Sequence, residues 1–458
     1  MMTLTRRQFL QKSALASAFS AMPWPLIASE APVQRLRATA STQQLINGPE
    51  YRAADVFAFN QTVPGPLLRY RQGDLVRIDF ENELPEESSI HWHGIRNINA
   101  MDGVAGLTQP AVATGGRFRY EFPLPDAGTY WYHSHAKTWS QVARGLYGPL
   151  IVDGPEDPSV DHDLVLMIDD WRLSDDGRID EASFGSLHDW AHGGRLGNWM
   201  TVNGISHPEF PVKQGSRIRL RLINAANARI FELQSRLPAT VITQDGFPCT
   251  QVERTVIELA PAQRVDLIVD IDDSPLTLFE ARSGEPYPAL TINPSLMGAT
   301  VAKTTLPQMA IQTPPATIDL SIPMHMQGGA MGNLREAEYE GSMRSIRELA
   351  RQHQKVWAFN GKISHHHERL ARVERNQVVS IDVWNDSRWA HAMHLHGHHF
   401  WIRTANGEDL SGMRDTYLFD PGERAQLIFV ADNPGLWLFH CHMLEHHAAG
   451  MAAVIEVS

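Results

Sequence analysis

The sequence predicts an all-β protein built from three consecutive β-sandwich domains. Short stretches that alternate polar and apolar residues recur along the chain between Gly, Pro and Asp turns, as is typical of β-sandwiches. One pattern occurs three times, as FNQTVPG from Phe59, VNGISHP from Val202 and FNGKISH from Phe359, with a period of about 150 residues. This period is too long for a solenoid unit and suits a repeated domain.

A second repeat supports this division. LAPAQRVDLIVDI from Leu259 resembles FDPGERAQLIFVA from Phe419, and GGRFRYEFPL from Gly115 is a weaker third copy. We therefore predict domains at residues 32–153, 154–310 and 311–458, with boundaries in GPLIVDGPEDP and in the proline-rich TTLPQMAIQTPPA. One helix is predicted, in SMRSIRELARQH, with Ser342 as its N-cap.

Length and charge narrow the class of protein. A chain of 458 residues exceeds one ordinary domain, and a hydrophobic content of 43% is ample for packed cores. The net charge of −12 argues against nucleic acid as a partner.

The first 31 residues predict a targeting signal. TRRQFL, from Thr5, carries the paired arginines of a twin-arginine export signal and precedes an apolar stretch that is too short to span a membrane. We therefore expect a periplasmic protein without stable membrane association, which the twin-arginine machinery exports.

The stretch HCHMLEHHAAGM, residues 440–451, contains one of only two cysteines. It follows an apolar strand pattern, so His440 and His442 should face one way and Cys441 the other. One strand could then serve two metal sites, with His446 and Met451 returning on a loop to the cysteine side. Thiolate, imidazole and an axial thioether are ligands of a blue copper site, which needs a second histidine from elsewhere. The other cysteine, Cys249, is expected to be a buried free thiol.

Histidines at alternate positions mark four clusters, and ten of the chain's 22 histidines are candidate ligands in them. A single such pair favours a polar strand face, but buried imidazoles in this number are costly unless they bind something. The thiolate with a methionine selects copper. The clusters are HWHG (His91, His93), HSH (His133, His135), HAMHLHGHH (His391, His394, His396) and the stretch around Cys441.

With these four motifs in order, the chain resembles the multicopper oxidases, the family of laccases and bacterial copper-efflux oxidases. The resemblance implies three cupredoxin-like Greek-key domains and four copper ions. It implies a type 1 ion on His391, Cys441 and His446, with Met451 axial, and a type 2 ion on His91 and His394. It implies two type 3 ions, one on His93, His133 and His442 and the other on His135, His396 and His440.

The resemblance also implies a reaction. A reductant gives single electrons to type 1 copper, and these pass from Cys441 to His440 and His442 and reduce dioxygen to water at a cluster between the first and third domains. The middle domain is expected to be structural. Asp102, shortly after HWHG, matches the acidic residue that supplies protons, although Asp-Gly is also a common turn. Copper-efflux relatives carry a further acid after His446, whereas this chain has His447, so Glu445 and His447 are alternative relays.

The reductant is the least determined feature. We expect Cu(I) oxidation for copper tolerance, with laccase-like oxidation of phenols and aromatic amines as the alternative. A copper-binding protein without turnover is a remote alternative, because storage needs no oxygen-reducing cluster. Met324, Met326 and Met331 either bind Cu(I) or lie in a glycine-rich linker. The His365–His367 run is either an extra copper site or a solvated loop. Asp386 is a candidate for docking a cation near type 1 copper, and His398 and His399 receive no role.

Overall fold

The computed structural model describes residues 33–282, 284–363 and 368–458. The predicted export signal and the His365–His367 run lie outside these residues. The described chain consists of strands with a few short helices, which confirms the all-β prediction. No helix in these ranges is long and apolar enough to cross a membrane.

The first region contains two four-stranded sheets around one aromatic-rich core. Their strand orders are β2-β1-β4-β6 and β3-β8-β7-β5. A short helix, α1 (Thr138–Gln141), precedes the last strand. The strands are β1 Gln34–Gln43, β2 Ala54–Phe59, β3 Leu68–Arg71, β4 Leu75–Asn82, β5 Ile90–His93, β6 Arg117–Pro123, β7 Gly128–Ser134 and β8 Tyr147–Asp153.

The middle region contains one sheet, in the order β10-β9-β12-β15-β13-β16-β17-β11, with β14 paired to β13. All of its strands contribute to one apolar core, so the sheet curls around that core. Helix α2 (Leu187–Ala191) lies between its first two strands. The strands are β9 His162–Trp171, β10 Trp199–Val202, β11 Glu209–Lys213, β12 Arg217–Asn224, β13 Phe231–Gln244, β14 Phe247–Leu259, β15 Arg264–Asp270, β16 Leu276–Glu280 and β17 Tyr287–Leu296.

The third region packs two five-stranded sheets, β21-β18-β23-β27-β25 and β22-β29-β28-β24-β26, and adds the hairpin β19-β20. Its helices are α3 (Ile346–Glu348) and α4 (Leu444–Ala448). The strands are β18 Leu320–Gly328, β19 Glu336–Tyr339, β20 Ser342–Ser345, β21 Trp357–Phe359, β22 Arg369–Val373, β23 Val378–Asn385, β24 His391–Leu395, β25 Phe400–Thr404, β26 Thr416–Phe419, β27 Arg424–Val430, β28 Gly435–Cys441 and β29 Ala452–Val457.

The helix predicted in SMRSIRELARQH begins later than expected, so the prediction of its start is wrong. Ser342 opens β20, which pairs with β19, and Ser345 is the N-cap, its Oγ accepting from the Glu348 amide at 3.3 Å. A π-helical turn, Leu349–His353, follows α3. The apolar spacing indicated a helix, but pairing with β19 draws the first four residues into a hairpin.

Charged side chains on β12 are buried rather than solvated. Arg219 and Arg221 are 3% and 1% exposed. Arg219 donates to Asp266, and Arg221 donates to Asp163 and to Thr129 of β7. This polar face therefore fixes the middle region against the first. The domain boundaries at 153/154 and 310/311 remain predictions and fall between β8 and β9 and between β17 and β18.

Candidate metal centres

Strand β28 presents neighbouring side chains to two different sites. Cys441 Sγ lies 3.7 Å from His391 Nδ1 and 3.8 Å from His446 Nδ1. On the opposite side, the Nε2 atoms of His440 and His396 lie 3.0 Å apart. The alternation predicted for His440, Cys441 and His442 is therefore present, and two clusters of ligand atoms share one backbone segment.

The cysteine centre is a compact, buried triangle. The Nδ1 atoms of His391 and His446 lie 3.1 Å apart, and both rings are fully buried with Cys441. His446 lies on α4 rather than on the expected loop. Met451 is fully buried, and its carbonyl accepts from the Cys441 amide at 3.0 Å. The backbone of the predicted axial residue is therefore hydrogen-bonded to that of the cysteine.

Outer hydrogen bonds orient the two imidazoles of this centre. His446 Nε2 donates to the carbonyl of His192 at 2.6 Å. A carbonyl only accepts, so the proton is on Nε2 and the Nδ1 lone pair faces Cys441. His391 Nε2 bonds Ser387 Oγ at 2.9 Å, which leaves its Nδ1 turned the same way.

Burial keeps the groups of the cysteine centre neutral. It raises the pKa of the Cys441 thiol to about 12 and lowers the pKa of His446 to about 4. Neutral imidazoles are the form that ligates metals, and a cation that binds the sulfur must displace the thiol proton.

Eight histidines, on β5, β7, β24 and β28 or directly after these strands, form the second cluster, between the first and third regions. All are at least nine-tenths buried. Within each of three groups, the ligand atoms lie within 4.8 Å of one another: His91, His93 and His394; His93, His133 and His442; His135, His396 and His440. The last two groups contain the same residues as the two type 3 sets that the resemblance implied, and the first contains His91 and His394, the implied type 2 pair.

Backbone carbonyls fix the ring tautomers in this cluster. Nδ1 of His91 donates to the Asp102 carbonyl at 2.8 Å, and Nδ1 of His440 donates to the Cys441 carbonyl at 2.9 Å. His133 and His394 make the same kind of contact, with Ser134 and Asp415. In each ring the Nε2 lone pair is therefore free and faces the cluster interior.

These inward nitrogens fit a bound cation. Nε2 of His91 and of His394 has no hydrogen-bond partner despite burial, and nor does Nδ1 of His93. The facing Nε2 atoms of His396 and His440 both carry lone pairs, because their Nδ1 atoms donate to Asp102 and Cys441. Orphaned and mutually repelling acceptors are costly unless a cation lies between them. The donor set suits copper, which the thiolate of the neighbouring centre selects.

Asp102 is fully buried between two predicted ligands. Its Oδ2 accepts from His396 Nδ1 at 2.9 Å, and its Oδ1 lies 3.2 Å from His91 Nδ1. The residue follows a 3-10 turn, Asn99–Met101, so it occupies the predicted turn as well. The carboxylate orients one ligand of the type 2 pair and one ligand of a type 3 set.

Asp415 orients two further histidines of this cluster, His93 and His394, and sequence reasoning missed this residue. The carboxylate accepts from His93 Nε2 at 3.0 Å and from Arg264 of β15 at 2.8 Å. Asp245 in turn lies 3.5 Å from the Arg264 guanidinium. Arg264 and the imidazoles hold the pKa of Asp415 well below its usual range, while burial raises the pKa of Asp245 to about 6. The only sequence signal was a charged pair, Arg414-Asp415, directly before β26.

The two alternative relay residues occupy different surroundings. Glu445 is buried and accepts from Asn227 Nδ2 at 2.8 Å, and burial raises its pKa. The ring of His447 lies 4.4 Å from that of His440 and 5.7 Å from that of His135. A cavity of about 270 Å³ is lined by both His447 and His135, so His447 lies between solvent and a type 3 set.

The three methionines of the predicted segment lie in different surroundings. Met324 and Met326 lie on β18 and are buried in the core of the third region. They are therefore neither linker residues nor surface ligands. Met331 follows the strand and is 71% exposed. Asp386 accepts from His325 at 2.9 Å, so this carboxylate already has a hydrogen-bond donor. Cys249 is a buried free thiol, as predicted.

His398 is a buried neutral histidine outside both clusters. Its ring packs against Phe429 and Trp437, and burial lowers its pKa to about 4. Because this folded-state pKa lies below the unfolded value of about 6.5, the neutral ring gives stability that is present above pH 6.5 and lost as the pH falls toward 4.

We expect His398→Phe to weaken this acid sensitivity. Between pH 7 and about pH 4, the unfolding free energy of the metal-free variant should fall by about 3 kcal/mol less than that of the wild type. Urea unfolding at several pH values measures both curves. Parallel curves would show that His398 is already neutral in both states or protonated in both.

Comparisons with known proteins agree with this geometry. Family models described as multicopper oxidase match residues 41–157, 162–279 and 341–458. The multicopper oxidase MmcO of Mycobacterium tuberculosis is 29% identical over 87% of this chain and 82% of that protein. A copper resistance protein A homologue of Pseudomonas syringae pv. tomato is 27% identical over 91% of each. The crystal structure of Lac15, from a marine microbial metagenome, has 38% identity and a TM-score of 0.72 and covers 93% of this chain and 100% of that one.

A copper-dependent oxidase is thus the class that the fold and the two ligand clusters define. The chain belongs to the multicopper oxidase family. It is an oxidoreductase that binds copper and uses dioxygen as electron acceptor.

Proposed function

We propose that the protein is a periplasmic cuprous oxidase with four copper ions, exported through its twin-arginine signal, that serves copper tolerance. Cu(I) and dioxygen are its substrates. When bound, copper supplies one-electron oxidation at the cysteine centre and four-electron reduction of dioxygen to water at the histidine cluster. The relative named as a copper resistance protein supports this physiological role.

The residues divide into four sets, one for each ion. His391, Cys441 and His446 would hold the type 1 ion, with Met451 as a further ligand, and His91 and His394 would hold the type 2 ion. His93, His133 and His442 would hold one type 3 ion, and His135, His396 and His440 the other. The Cys441 backbone then joins the two centres, because its neighbours on both sides, His440 and His442, are type 3 ligands.

Protons would reach the histidine cluster through Asp102. Its carboxylate touches His396 and lies beside His91, so it can hold or release a proton within the cluster. His447, at the mouth of the adjoining cavity, is better placed than the enclosed Glu445 to connect this cluster with solvent.

We expect Asp102→Asn to lower oxygen uptake by about 10- to 100-fold, the usual effect of removing an outer partner of a ligating histidine. The asparagine amide keeps the shape of the side chain but has one acceptor oxygen where the carboxylate has two. The blue absorption of the cysteine centre should survive, because Asp102 contacts only the other cluster. Retention of full oxygen uptake across the pH range would contradict a proton-transfer or orienting role.

The single observation that favours Cu(I) is that α2 and His192, which directly follows it, cover the cysteine centre. The outward edge of His446 is bonded to the His192 carbonyl at 2.6 Å, so an organic ring cannot reach it directly. Laccase-like oxidation of phenols is the second candidate, and a different observation favours it. The rings of His192 and Trp389 meet edge to face, with their centroids 5.2 Å apart, and offer an aromatic surface beside His446 for a phenol ring.

Oxygen uptake by the copper-loaded enzyme tests the proposal. We expect rapid turnover of Cu(I), and turnover of a methoxyphenol only when excess Cu(II) is added as a carrier. Rapid phenol turnover without added Cu(II), with slow Cu(I) turnover, would overturn the cuprous oxidase and establish the laccase.

A further inference from the structure

The cover over the cysteine centre carries two histidines in helical spacing. His188 and His192, in HDWAH, begin on α2 and end just after it, and their rings stack 4.0 Å apart at 14°. The side chain of His188 is 76% exposed. Neither residue belongs to the four histidine clusters, and each lies in the middle region, which supplies no predicted copper ligand.

The geometry of this pair suits a metal ion at the surface. His192 Nδ1 donates to the His188 carbonyl at 2.7 Å, so its Nε2 lone pair is available. His188 lies on the helix and His192 is its C-cap, and the ring stacking shows that both imidazoles lie on the same side of the chain, where two such rings can share a metal. The stacked rings do not converge as they stand, but the exposed His188 ring can rotate to share an ion with His192.

The backbone of His192 is hydrogen-bonded to His446, a predicted ligand of the centre that accepts the electron. The carbonyl of His192 accepts from His446 Nε2 at 2.6 Å. An electron leaving an ion on the His192 imidazole therefore crosses one residue and one short hydrogen bond to reach a type 1 ligand.

The surrounding chemistry selects a soft ion. The Ala330 amide donates to the Ala191 carbonyl at 2.6 Å, so the exposed Met331 directly follows a residue that is bonded to the chain between the two histidines. The Asp189 carboxylate lies 3.7 Å from His188 Nδ1, but Arg172 donates to it at 2.7 and 3.3 Å and offsets the charge that would attract a hard cation such as Fe(II). Imidazoles with a thioether favour Cu(I).

We infer that His188 and His192 form the docking site for substrate Cu(I), with Met331 as an additional ligand, and that the His192 carbonyl passes the electron to His446. This inference rests on the proposed function. Each docked Cu(I) loses one electron and leaves as Cu(II). Four such oxidations, with four protons, reduce one dioxygen to two waters, so charge and atoms balance.

Silver(I), which has the ligand preferences of Cu(I) but is not oxidised here, tests binding by the copper-loaded enzyme. Equilibrium dialysis should show that the double variant His188→Asn/His192→Asn loses one silver ion per chain relative to wild type. His207→Asn, which changes an exposed histidine elsewhere in the middle region, should bind silver as wild type does. Met331→Leu should weaken silver binding and retain the stoichiometry.

Steady-state kinetics test whether His188 and His192 deliver Cu(I) for oxidation. The double variant should raise KM for Cu(I) about tenfold or more, since even outer partners of a metal site alter affinity by 10- to 100-fold. Its blue absorption should remain, whereas its carrier-dependent phenol turnover should fall together with Cu(I) oxidation, because the reduced carrier is reoxidised at the same site. His188→Asn alone leaves the His192 contact with Trp389 intact and should show a smaller rise in KM, which guards against misfolding of the double variant.

The two levels of the proposal fail differently. A wild type that does not oxidise Cu(I) overturns the proposed function and with it the docking role. A wild type that oxidises Cu(I), together with a folded double variant that keeps wild-type KM and silver stoichiometry, overturns the docking site alone.

Discussion

Cys441→Ser should abolish the blue absorption and lower oxygen uptake by more than about 100-fold. Loss of an outer partner of a metal site already costs up to that factor, and this change removes a ligand itself. A serine hydroxyl is a poor replacement for a thiolate, and the site is fully buried, so water cannot substitute for the sulfur. Absorption spectra, copper content and oxygen uptake measure the effect, and the copper content should fall by one ion per chain.

Cys249→Ser is the matched control for this change. Cys249 is buried and free, and burial raises the pKa of its thiol to about 11, so it is an inert packing residue. The control should retain blue absorption and turnover. If the two variants behaved alike, or if Cys441→Ser kept its colour, the assignment of the cysteine centre would be wrong.

Asp415→Asn should destabilise the protein and disorganise the histidine cluster. The change removes the charge that balances the fully buried Arg264, and breaking such a pair costs about 3–5 kcal/mol. His93 and His394 also lose the carboxylate that orients them. Urea unfolding of the metal-free protein measures the first effect, and the copper content of the loaded protein measures the second.

Asp79→Asn is the corresponding surface control. Asp79 accepts from Arg119 at 2.7 Å in an exposed pair, and such pairs contribute less than about 1 kcal/mol. A double change of Arg264 and Asp415 to leucine should restore neither stability nor copper binding, because it leaves the buried Asp245 carboxylate without its guanidinium partner. Equal stability of Asp415→Asn and Asp79→Asn would contradict the proposed role of the buried network.

The middle region contributes more than the structural role expected of it. It supplies no predicted ligand, yet the His192 carbonyl orients His446 and Arg264 holds Asp415. One end of this region therefore supports the cysteine centre and another supports the histidine cluster. Coupling of both centres to one region gives a physical reason for its retention between the two ligand-bearing regions.

The all-β class and the histidines and cysteine that come together in the two clusters could be predicted from the sequence. This was possible because the ligands lie in short motifs and because side chains alternate along a strand. His440 and Cys441 therefore had to face opposite sides wherever β28 lay in the fold. The resemblance to the multicopper oxidases supplied the grouping of the histidines, which spacing alone left open.

The hydrogen-bond partners and packing around those ligands could be seen only in the tertiary structure. His446 and His192 are 254 residues apart in sequence, and no local pattern indicates their hydrogen bond. The roles of Asp415, the burial of the arginines of β12 and the core position of Met324 also depend on contacts between distant segments. Local periodicity specifies the face on which a side chain lies, whereas its partner depends on how separate sheets pack together.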